Sequence, residues 1–262
     1  MTASGVAISI GPLTIRWYGV LIVLAMVFAV WWVCREAKRQ GFDSEVMFDF
    51  CLIMIPTAIV GIRLYYVLTH PSEFTDFWGI FKIWEGGLAL HGGIISCILV
   101  AVWYLRRRNI SFWRYADIMM SGVILGQAIG RWGNYFNQEA YGTVTNLPWA
   151  VYVAGAYRHP TVLYESAWSV LVFAVLIWLM KRPHRAGNIF SWYLILYSVG
   201  RFFIEFVRED RVMIGSLPIP GSGIVSLACI VTGVALLYYQ KKTPLLDVYA
   251  IAEAPPSKAK KK

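Results

Sequence analysis

The sequence predicts an all-α polytopic membrane protein, a bundle of seven transmembrane helices. Of the 262 residues, 58% are hydrophobic and only 15% are charged, and the mean hydropathy is +0.57. This apolar content exceeds that of an ordinary soluble domain. Apolar stretches, each close to the roughly 20 residues that cross a bilayer as a helix, also recur along the chain.

Seven apolar stretches are predicted to be the membrane spans, in the order 17–34, 46–69, 88–105, 113–131, 161–180, 188–207 and 221–240. Short loops separate them and no repeat period emerges, so residues 1–244 are expected to form one domain. A single arginine, Arg16, precedes the first stretch, and no small-residue cleavage site follows it. This pattern favours a retained first helix over a cleaved signal peptide.

The distribution of lysine and arginine predicts how the spans are oriented. The segments that follow odd-numbered spans carry sixteen of these residues, whereas the segments on the opposite side carry six. Because lysine and arginine are retained in cytoplasmic loops, the N-terminus is expected outside and the C-terminus in the cytoplasm. Residues 245–262, which end in EAPPSKAKKK, are predicted to be a disordered basic cytoplasmic tail.

Charge and cysteine content exclude several kinds of partner. The net charge of +9 is spread over short clusters between apolar runs, without the basic face of a nucleic-acid-binding protein. Four cysteines lie in or beside apolar stretches, where a thiol packs as a small hydrophobe. They are Cys34, Cys51, Cys97 and Cys229. We therefore expect no disulfide, no metal site, no cofactor and no nucleic-acid partner.

Polar and charged residues gather at the predicted outer ends of the spans. The sixth span carries one helical stripe, because its polar residues follow at steps of four, four and three. These residues are Tyr197, Arg201, Glu205 and Arg208. Four other spans bring Arg63, His91, Gly92, Gly93, Arg131, Asn134, Glu139 and Glu165 to the same level. An unpaired charge at bilayer depth costs at least about 2.5 kcal/mol, so these residues are expected to pair or to line a wet cavity.

The cations at this level point to an anionic ligand. Arginine presents a planar fork of donors to phosphate oxygens and stays charged when it is partly desolvated. Phospholipid headgroups supply such a phosphate, and a cavity open sideways to the outer leaflet would admit one with its acyl chains still in lipid. Paired glycines such as Gly92 and Gly93 also expose backbone N–H groups that suit an anion.

Other interpretations of the same residues remain open. Arg201 and Glu205 are four residues apart and could serve only to lock helices together, and Glu165 could be a structural ion-pair partner. A transporter for anionic solutes would also gather arginines, but it would place its site near the midplane with access to both faces, whereas the inner half of these spans is nearly free of charge. A non-catalytic lipid-binding scaffold would need the arginines without the combination of His91, Asn134 and Glu139.

Six sequence blocks resemble a known enzyme family. GRWGNYFNQEAYG at 130–142 resembles the signature of the prolipoprotein diacylglyceryl transferases, which are bacterial membrane enzymes. The other blocks, in family order, are IGPLTIRWYG at 10–19, GIRLYYVL at 61–68, WEGGLALHGG at 84–93, RHPTVLYE at 158–165 and YSVGRFFIEFVRED at 197–210. Two departures are Glu209-Asp210 directly after Arg208, where the family often has a proline, and Gly221-Ser222-Gly223, where a glutamine is usual.

The resemblance implies a transferase of the bacterial cytoplasmic (inner) membrane with its active site facing the outer leaflet. Such enzymes transfer the diacylglyceryl group of phosphatidylglycerol to the lipobox cysteine thiol of a prolipoprotein signal peptide. A thioether forms and glycerol phosphate is released, which is the first step of bacterial lipoprotein maturation. The implied partners are phosphatidylglycerol, the signal peptide and membrane lipid, and we expect the protein to act as a monomer.

With this reaction, the outer polar residues acquire roles. Arg131 and Arg201 are expected to bind the phosphate, and Arg63 and Arg208 to add positive charge. Glu139 and Glu205 are expected to orient the guanidinium groups. Either His91 or Glu205 is expected to take the thiol proton, and holding the headgroup is the alternative role for His91. The catalytic set is His91, Arg131, Glu139, Arg201 and Glu205, and the substrate-binding set is Tyr18, Arg63, Gly92, Gly93, Asn134, Glu165, Tyr197 and Arg208.

Overall fold

In the part of the chain that the computed structural model describes, most residues belong to seven α-helices. The structure describes residues 6–10, 13–74, 78–82, 86–87, 89–211, 213, 220–242 and 244–246. Within them the helices are α1 (Trp17–Arg39), α2 (Ser44–Thr69), α3 (Leu90–Arg107), α4 (Phe112–Phe136), α5 (Thr161–Met180), α6 (Asn188–Glu205) and α7 (Gly221–Gln240). The predominantly helical character predicted from the sequence is thereby confirmed.

Short antiparallel strand pairs form outside the helices. The pairs are β1 (Val6–Ile10) with β2 (Leu13–Arg16), β3 (Val151–Val153) with β4 (Ala156–Arg158), and β5 (His184–Arg185) with β6 (Leu245–Leu246). The β6 strand contains the first two residues of the predicted tail, and residues 247–262 of that tail lie outside the described residues. Trp84 and Glu85, from the block at 84–93, also lie outside them.

Among the described residues, five helices are long and apolar enough to cross a membrane. By length and composition these are α1, α2, α3, α5 and α7, which supports the predicted multi-pass membrane character. The other two helices, α4 and α6, are 25 and 18 residues long. Their sequences include Arg131 in α4 and Arg201 and Glu205 in α6. The residues predicted to form the site are thus among those that make these two helices less apolar.

Packing within the chain divides it into two compact units. The larger unit comprises residues 1–41 and 116–262, and the smaller unit comprises residues 42–115. The boundary at residue 115 falls within α4. The single domain over residues 1–244 therefore stays a prediction, and the two units are described separately below.

In the smaller unit, glycines allow α2 and α3 to pack backbone against backbone. A Cβ atom added at Gly61 would lie 2.6 Å from the carbonyl oxygen of Gly92, and one added at Gly93 would lie 2.7 Å from Ile62 Cγ1. The N–H group of Gly92 donates to the carbonyl oxygen of Ala89 at 3.0 Å. Gly92 and Gly93 are therefore buried in a helix contact of the kind that small residues make in membrane proteins.

In the larger unit, α5 and α6 approach each other closely at Gly200. A Cβ atom added at Gly200 would overlap the indole ring of Trp168, which comes from α5. The indole Nε1 of Trp168 donates to the carbonyl oxygen of Leu196 at 2.8 Å, so the ring is held against α6. Trp168 lies one turn after Glu165 on α5, and Gly200 directly precedes Arg201 on α6, so this contact brings together the parts of the two helices that carry these charges.

Asp117 of α4 caps the start of α6. Its Oδ2 atom accepts a hydrogen bond from the N–H group of Gly187 at 2.7 Å, and Oδ1 accepts one from Phe190 at 2.8 Å. N–H groups in the first turn of a helix have no hydrogen-bond acceptor within the helix itself, and Asp117 supplies one for these two. Gly187 has a φ of 91°, a conformation that favours glycine. The cap fixes the start of α6 to α4.

A small antiparallel sheet forms from the residues between α4 and α5. The β3–β4 hairpin closes through Ala154 and Gly155, whose φ angles are 49° and 79°. A positive φ at both central residues is typical of a two-residue hairpin turn. Residues 142–145 bond to the other side of β4. The β4 strand is therefore central in this sheet, and β3 forms one edge.

Candidate active site

Three arginines meet one buried glutamate in the larger unit. The glutamate is Glu165, which lies on α5 and has a side chain that is only 6% exposed. Its Oε1 atom is 2.6 Å from Arg201 Nη1 and 3.1 Å from Arg208 Nη1. Its Oε2 atom is 2.9 Å from Arg131 Nη1. One carboxylate thus contacts guanidinium groups from α4, from α6 and from the turn after α6.

Two further acids complete this group of charges. Glu205 Oε2 is 2.6 Å from Arg201 Nη2 and 3.9 Å from Arg208 Nε. Asp210 accepts a bidentate pair of hydrogen bonds from Arg208, at 2.8 Å from Nε and 2.5 Å from Nη2. We call Arg131, Glu165, Arg201, Glu205, Arg208 and Asp210 the arginine cluster. It contains three guanidinium groups and three carboxylates.

The bidentate contact shifts the pKa of both partners. The hydrogen bonds and the positive charge of Arg208 hold the pKa of Asp210 below its usual range, although burial acts in the opposite direction. Burial by itself lowers the pKa of Arg208. The hydrogen bond to Asp210 and the charges of Glu165, Asp210 and Glu205 outweigh that effect, and the pKa of Arg208 is raised. Both groups are therefore charged at neutral pH.

Helix geometry explains how α6 contributes to the cluster. Arg201 and Glu205 are one turn apart, so their side chains share a face and meet as an ion pair. The helix ends at Glu205, and Arg208 lies in the following turn, where its N–H group donates to the carbonyl oxygen of Glu205 at 3.2 Å. Arg208 thus reaches Glu165 from beyond the end of α6.

A small cavity lies beside the cluster. Its volume is about 10 Å³, which is room for one water molecule. The residues that line it are Arg131, Glu165, Trp168, Ser169, Tyr197, Arg201 and Ile204. Tyr197 stacks on Tyr193 one turn away, with ring centroids 5.6 Å apart. Tyr197 and two of the cluster arginines therefore share one polar space.

The arginines that line the cavity keep hydrogen-bonding capacity for a ligand. The buried Oε2 atoms of Glu165 and Glu205 accept no hydrogen bond within the described residues. Arg131 Nη1 and Arg201 Nη2 are close to these oxygens, but their N–H groups are not aligned with them. In the described part of the chain Arg131 forms one ion pair, with Glu165, whereas Arg201 and Arg208 each contact more than one carboxylate. Arg131 is therefore the cluster arginine with the most donors left for another acceptor.

The segment that follows α4 presents Glu139 in a strained turn. Glu139 is exposed and accepts hydrogen bonds from Asn137 Nδ2 at 3.2 Å and Asn134 Nδ2 at 3.4 Å. Its neighbours Gln138 and Ala140 have left-handed φ angles of 54° and 56°. Each such residue costs about 1 kcal/mol or more, and strain of this kind concentrates at functional sites. The partners found for Glu139 are amides, whereas a guanidinium group was expected.

Tyr18 packs against α4 next to Asn134. A Cβ atom added at Gly133 would lie 2.9 Å from Tyr18 Cδ2, so a glycine permits the ring to come this close. The preceding residue, Trp17, stacks on Phe136 with ring centroids 5.6 Å apart. The start of α1 is thus fixed to the last turns of α4, beside a predicted substrate-binding residue.

Arg63 and His91 belong to the smaller unit. The hydrogen bonds of Arg63, which is buried, run at 2.6–2.9 Å to the carbonyl oxygens of Gly79, Ile80, Gly86 and Gly87. Arg63 therefore holds the loop before α3 in place. The supporting positive charge that was predicted for Arg63 stays a prediction. His91 is the second residue of α3 and is exposed, and its ring centroid lies 6.4 Å from that of Tyr65.

Matches to known proteins cover nearly the whole chain. Residues 5–239 match the family described as prolipoprotein diacylglyceryl transferase. The chain belongs to this family. It is 44% identical over 245 residues to the phosphatidylglycerol–prolipoprotein diacylglyceryl transferase of Geobacillus kaustophilus, with 88% of this chain and 90% of that protein covered. It is 42% identical over a 267-residue alignment to the protein of the same name from Nostoc sp., with 95% and 94% covered.

Membership of the prolipoprotein diacylglyceryl transferase family confirms the resemblance of the six sequence blocks. The arginine cluster is built from three of these blocks. The block at 130–142 supplies Arg131, the block at 158–165 supplies Glu165, and the block at 197–210 supplies the other four residues. The transferase motifs are thus distant in sequence and close in space.

The sequence did not reveal the full part that two acidic residues play in this site. Glu165 was predicted to bind substrate, with a structural ion pair as the alternative, and the structure makes it the carboxylate that three arginines share. The departure from the family pattern at Glu209-Asp210 also has a structural use. Asp210 holds Arg208, and Glu209 forms an ion pair with Arg158 of β4. The available signal was two adjacent acids in a chain with only 15.

Gly142, the last residue of the family signature at 130–142, lies where three segments meet. Its N–H group donates to the carbonyl oxygen of His159 at 2.9 Å. A Cβ atom added at Gly142 would lie 2.5 Å from the carbonyl oxygen of Val207 and 2.9 Å from Thr161 Cγ2. Only glycine therefore lets the sheet, the start of α5 and the end of α6 come together here.

Proposed function

We propose that the protein transfers the diacylglyceryl group of phosphatidylglycerol to the lipobox cysteine thiol of prolipoproteins, as the first step of bacterial lipoprotein maturation. The observation that carries the proposal is the convergence of Arg131, Arg201 and Arg208 on the buried Glu165. Membership of the family and the names of the relatives support it. The protein is accordingly a transferase.

The reaction is a substitution at carbon. The cysteine thiolate forms a carbon–sulfur bond to the terminal glycerol carbon of the diacylglyceryl group, and the bond from that carbon to the phosphate oxygen breaks. The electron pair of the broken bond stays on the phosphate, which leaves as glycerol phosphate. A free thiol has a pKa of about 8.5, so the site has to favour the thiolate and neutralise the leaving group.

Arg131 and Arg201 are assigned to the phosphate. Both line the cavity beside Glu165, and both keep N–H groups that are not aligned with the carboxylates. Arg208 adds positive charge from its fixed position on Asp210. The carboxylate of Glu165 orients all three guanidinium groups before the lipid binds, which is the preorganisation that electrostatic stabilisation of a leaving group requires.

The polar groups around the cluster are assigned to the lipid headgroup. Asn134 and Glu139 are hydrogen-bonded to each other and suit the glycerol hydroxyl groups. Tyr197 lines the cavity, and Tyr18 lies against the turn that carries Asn134. In the smaller unit, the tight packing of Gly92 and Gly93 on α2 fixes the start of α3, which carries His91.

His91 is assigned to deprotonation of the thiol. Its side chain is exposed near the start of α3, after a loop that Arg63 holds in place. Glu205 also qualifies as a base on chemical grounds, but its carboxylate is 2.6 Å from Arg201 and is engaged there. The base must come within hydrogen-bond reach of the thiol, and the imidazole of His91, which forms no ion pair with any of the described residues, is better suited to this task.

We further propose that all seven helices span the bacterial cytoplasmic (inner) membrane, with the N-terminus outside and the C-terminus in the cytoplasm. The excess of lysine and arginine after odd-numbered helices supports this orientation. The arginine cluster, formed at the ends of α4 and α6, would then face the outer leaflet, where phosphatidylglycerol and exported prolipoproteins meet. The protein is proposed to act there as a monomer.

The proposed reaction is tested with the purified protein, phosphatidylglycerol and a lipobox peptide. Mass spectrometry should detect the peptide with a thioether-linked diacylglyceryl group and an equal amount of glycerol phosphate. A peptide in which serine replaces the acceptor cysteine is the matched control and should remain unmodified. Unmodified cysteine peptide after prolonged incubation with folded protein would contradict the proposal.

A further inference from the structure

The β3 strand has one edge without a partner strand in the described part of the chain. On its inner side it pairs with β4, in the register Val151 with Arg158 and Tyr152 with Tyr157. Residues 142–145 cover the other side of β4. An exposed strand edge of this kind is a template for a further strand.

The main-chain groups of Tyr152 face that open edge. In an antiparallel pair, directly opposed residues alternate between those that exchange hydrogen bonds and those that face away from each other. The carbonyl oxygen of Tyr157 accepts from Thr145 on the far side of β4, at 2.9 Å. Tyr152 and Tyr157 are therefore a pair that does not exchange hydrogen bonds. The N–H and C=O groups of Tyr152 consequently point away from β4.

The same strand borders a residue of the candidate site. Val151, Tyr152 and Val153 line a cavity of about 40 Å³ together with Glu139. Tyr152 and Tyr157 are both 59% exposed, and their rings lie edge to face with centroids 5.2 Å apart. An unpaired main-chain edge, an apolar aromatic surface and an acidic site residue are thus adjacent.

We propose that the prolipoprotein substrate binds as an extended strand along the open edge of β3, with one of its residues exchanging main-chain hydrogen bonds with Tyr152. This inference rests on the proposed function, which requires a peptide to bring its cysteine to the site. Strand addition supplies affinity through the main chain, so it accepts substrates of differing sequence. The exposed tyrosine pair offers contact to their apolar side chains.

Tyr152→Pro removes the N–H donor and tests the proposal. Proline is tolerated on an edge strand where the N–H group is not used by the sheet. The variant should raise the KM for the peptide about 3- to 10-fold, as expected for one lost hydrogen bond. The kcat and the KM for phosphatidylglycerol should stay unchanged. The matched control is Tyr152→Ala, which keeps the donor and removes the ring, and its effect should be smaller.

An unchanged peptide KM in folded Tyr152→Pro overturns the inference. Equal effects in both variants also overturn it, because the ring rather than the main chain would then carry the contact. A second measurement uses the unaltered protein and peptides in which single amides are replaced by esters. One position should lose affinity about 3- to 10-fold while its two neighbours do not; a uniform response along the peptide contradicts strand pairing.

The same experiments separate this inference from the function on which it rests. If the unaltered protein forms no thioether product with the plain peptide, the proposed function itself fails. If product forms and neither the proline variant nor the ester series changes the peptide KM, the function stands and the β3 edge is not the docking surface.

Discussion

Replacing Glu165 by glutamine should destabilise the larger unit and strongly slow transfer. The substitution keeps the size of the side chain but removes the negative charge that lies 2.6 Å from Arg201 and 2.9 Å from Arg131. Loss of one partner from a buried ion pair costs about 3–5 kcal/mol. Two of the three arginines keep another carboxylate, so we expect the lower end of that range, about 3 kcal/mol of unfolding free energy.

The effect of Glu165→Gln on activity should exceed the effect of partial unfolding. Without its carboxylate partner, Arg131 loses the contact that orients it, and a misplacement of about 1 Å at a reacting centre lowers rates on the order of 100-fold. We therefore expect kcat/KM to fall at least about 100-fold at a temperature where the variant is folded. Initial rates of transfer to the lipobox peptide and thermal unfolding in the same detergent measure the two effects.

Glu209→Gln is the matched control for this substitution. Glu209 also pairs with an arginine of the larger unit, but its side chain is 47% exposed. Exposed ion pairs contribute about 0–1 kcal/mol, so this variant should keep nearly full stability and activity. If the Glu165 and Glu209 variants behaved alike in both assays, the central role of Glu165 in the arginine cluster would be refuted.

Three other substitutions or conditions test separate features. Arg131→Lys should abolish transfer in a folded protein, because an ammonium group lacks the planar fork of donors for phosphate; normal rates would exclude this role. Gly142→Ala should cost about 1–3 kcal/mol by thermal unfolding, since its Cβ meets a carbonyl oxygen at 2.5 Å, whereas Gly19→Ala, with nothing within 4 Å, should not. The lowered pKa of Asp210 makes its contribution to stability fully present above its unfolded pKa of about 3.9, and this contribution is lost as pH falls through the folded pKa. The difference in unfolding temperature from Asp210→Asn should therefore shrink below about pH 4, and a constant difference would contradict this coupling.

Features set by local geometry could be predicted from the sequence. Helices follow from apolar runs of sufficient length, and the contact between Arg201 and Glu205 follows from their spacing of one helical turn. The gathering of arginines and glutamates into one site was also predictable, because charges at bilayer depth have to find partners. These inferences need no knowledge of how distant segments pack.

Partners from irregular segments could not be predicted in the same way. The carbonyl groups that hold Arg63 lie 16 to 24 residues further along the chain, and a carbonyl oxygen leaves no mark in a sequence. Glu139 contacts Asn134 and Asn137 because the left-handed residues beside it redirect the chain. Its spacing from any arginine in the sequence does not reveal this.

The paired glycines illustrate a different kind of ambiguity. Gly92 and Gly93 suit anion binding and close helix packing equally well when only their own positions are considered. The residue that lies opposite the glycines decides between these two roles, and here Gly61 and Ile62 of α2 lie against Gly92 and Gly93. That neighbour is some thirty residues away in the chain, so the choice depends on tertiary packing.

The equal number of positive and negative groups in the arginine cluster has a consequence for turnover. In the proposed reaction, an arriving phosphate brings surplus negative charge and competes with Glu165 for the guanidinium groups of Arg131 and Arg201. Glu165 then both positions the arginines and competes with the lipid for them. The headgroup is bound less tightly than it would be by three arginines without carboxylate partners. Once the ester bond has broken, the same carboxylate can recapture its partner and help to expel glycerol phosphate, a product more highly charged than the lipid from which it came.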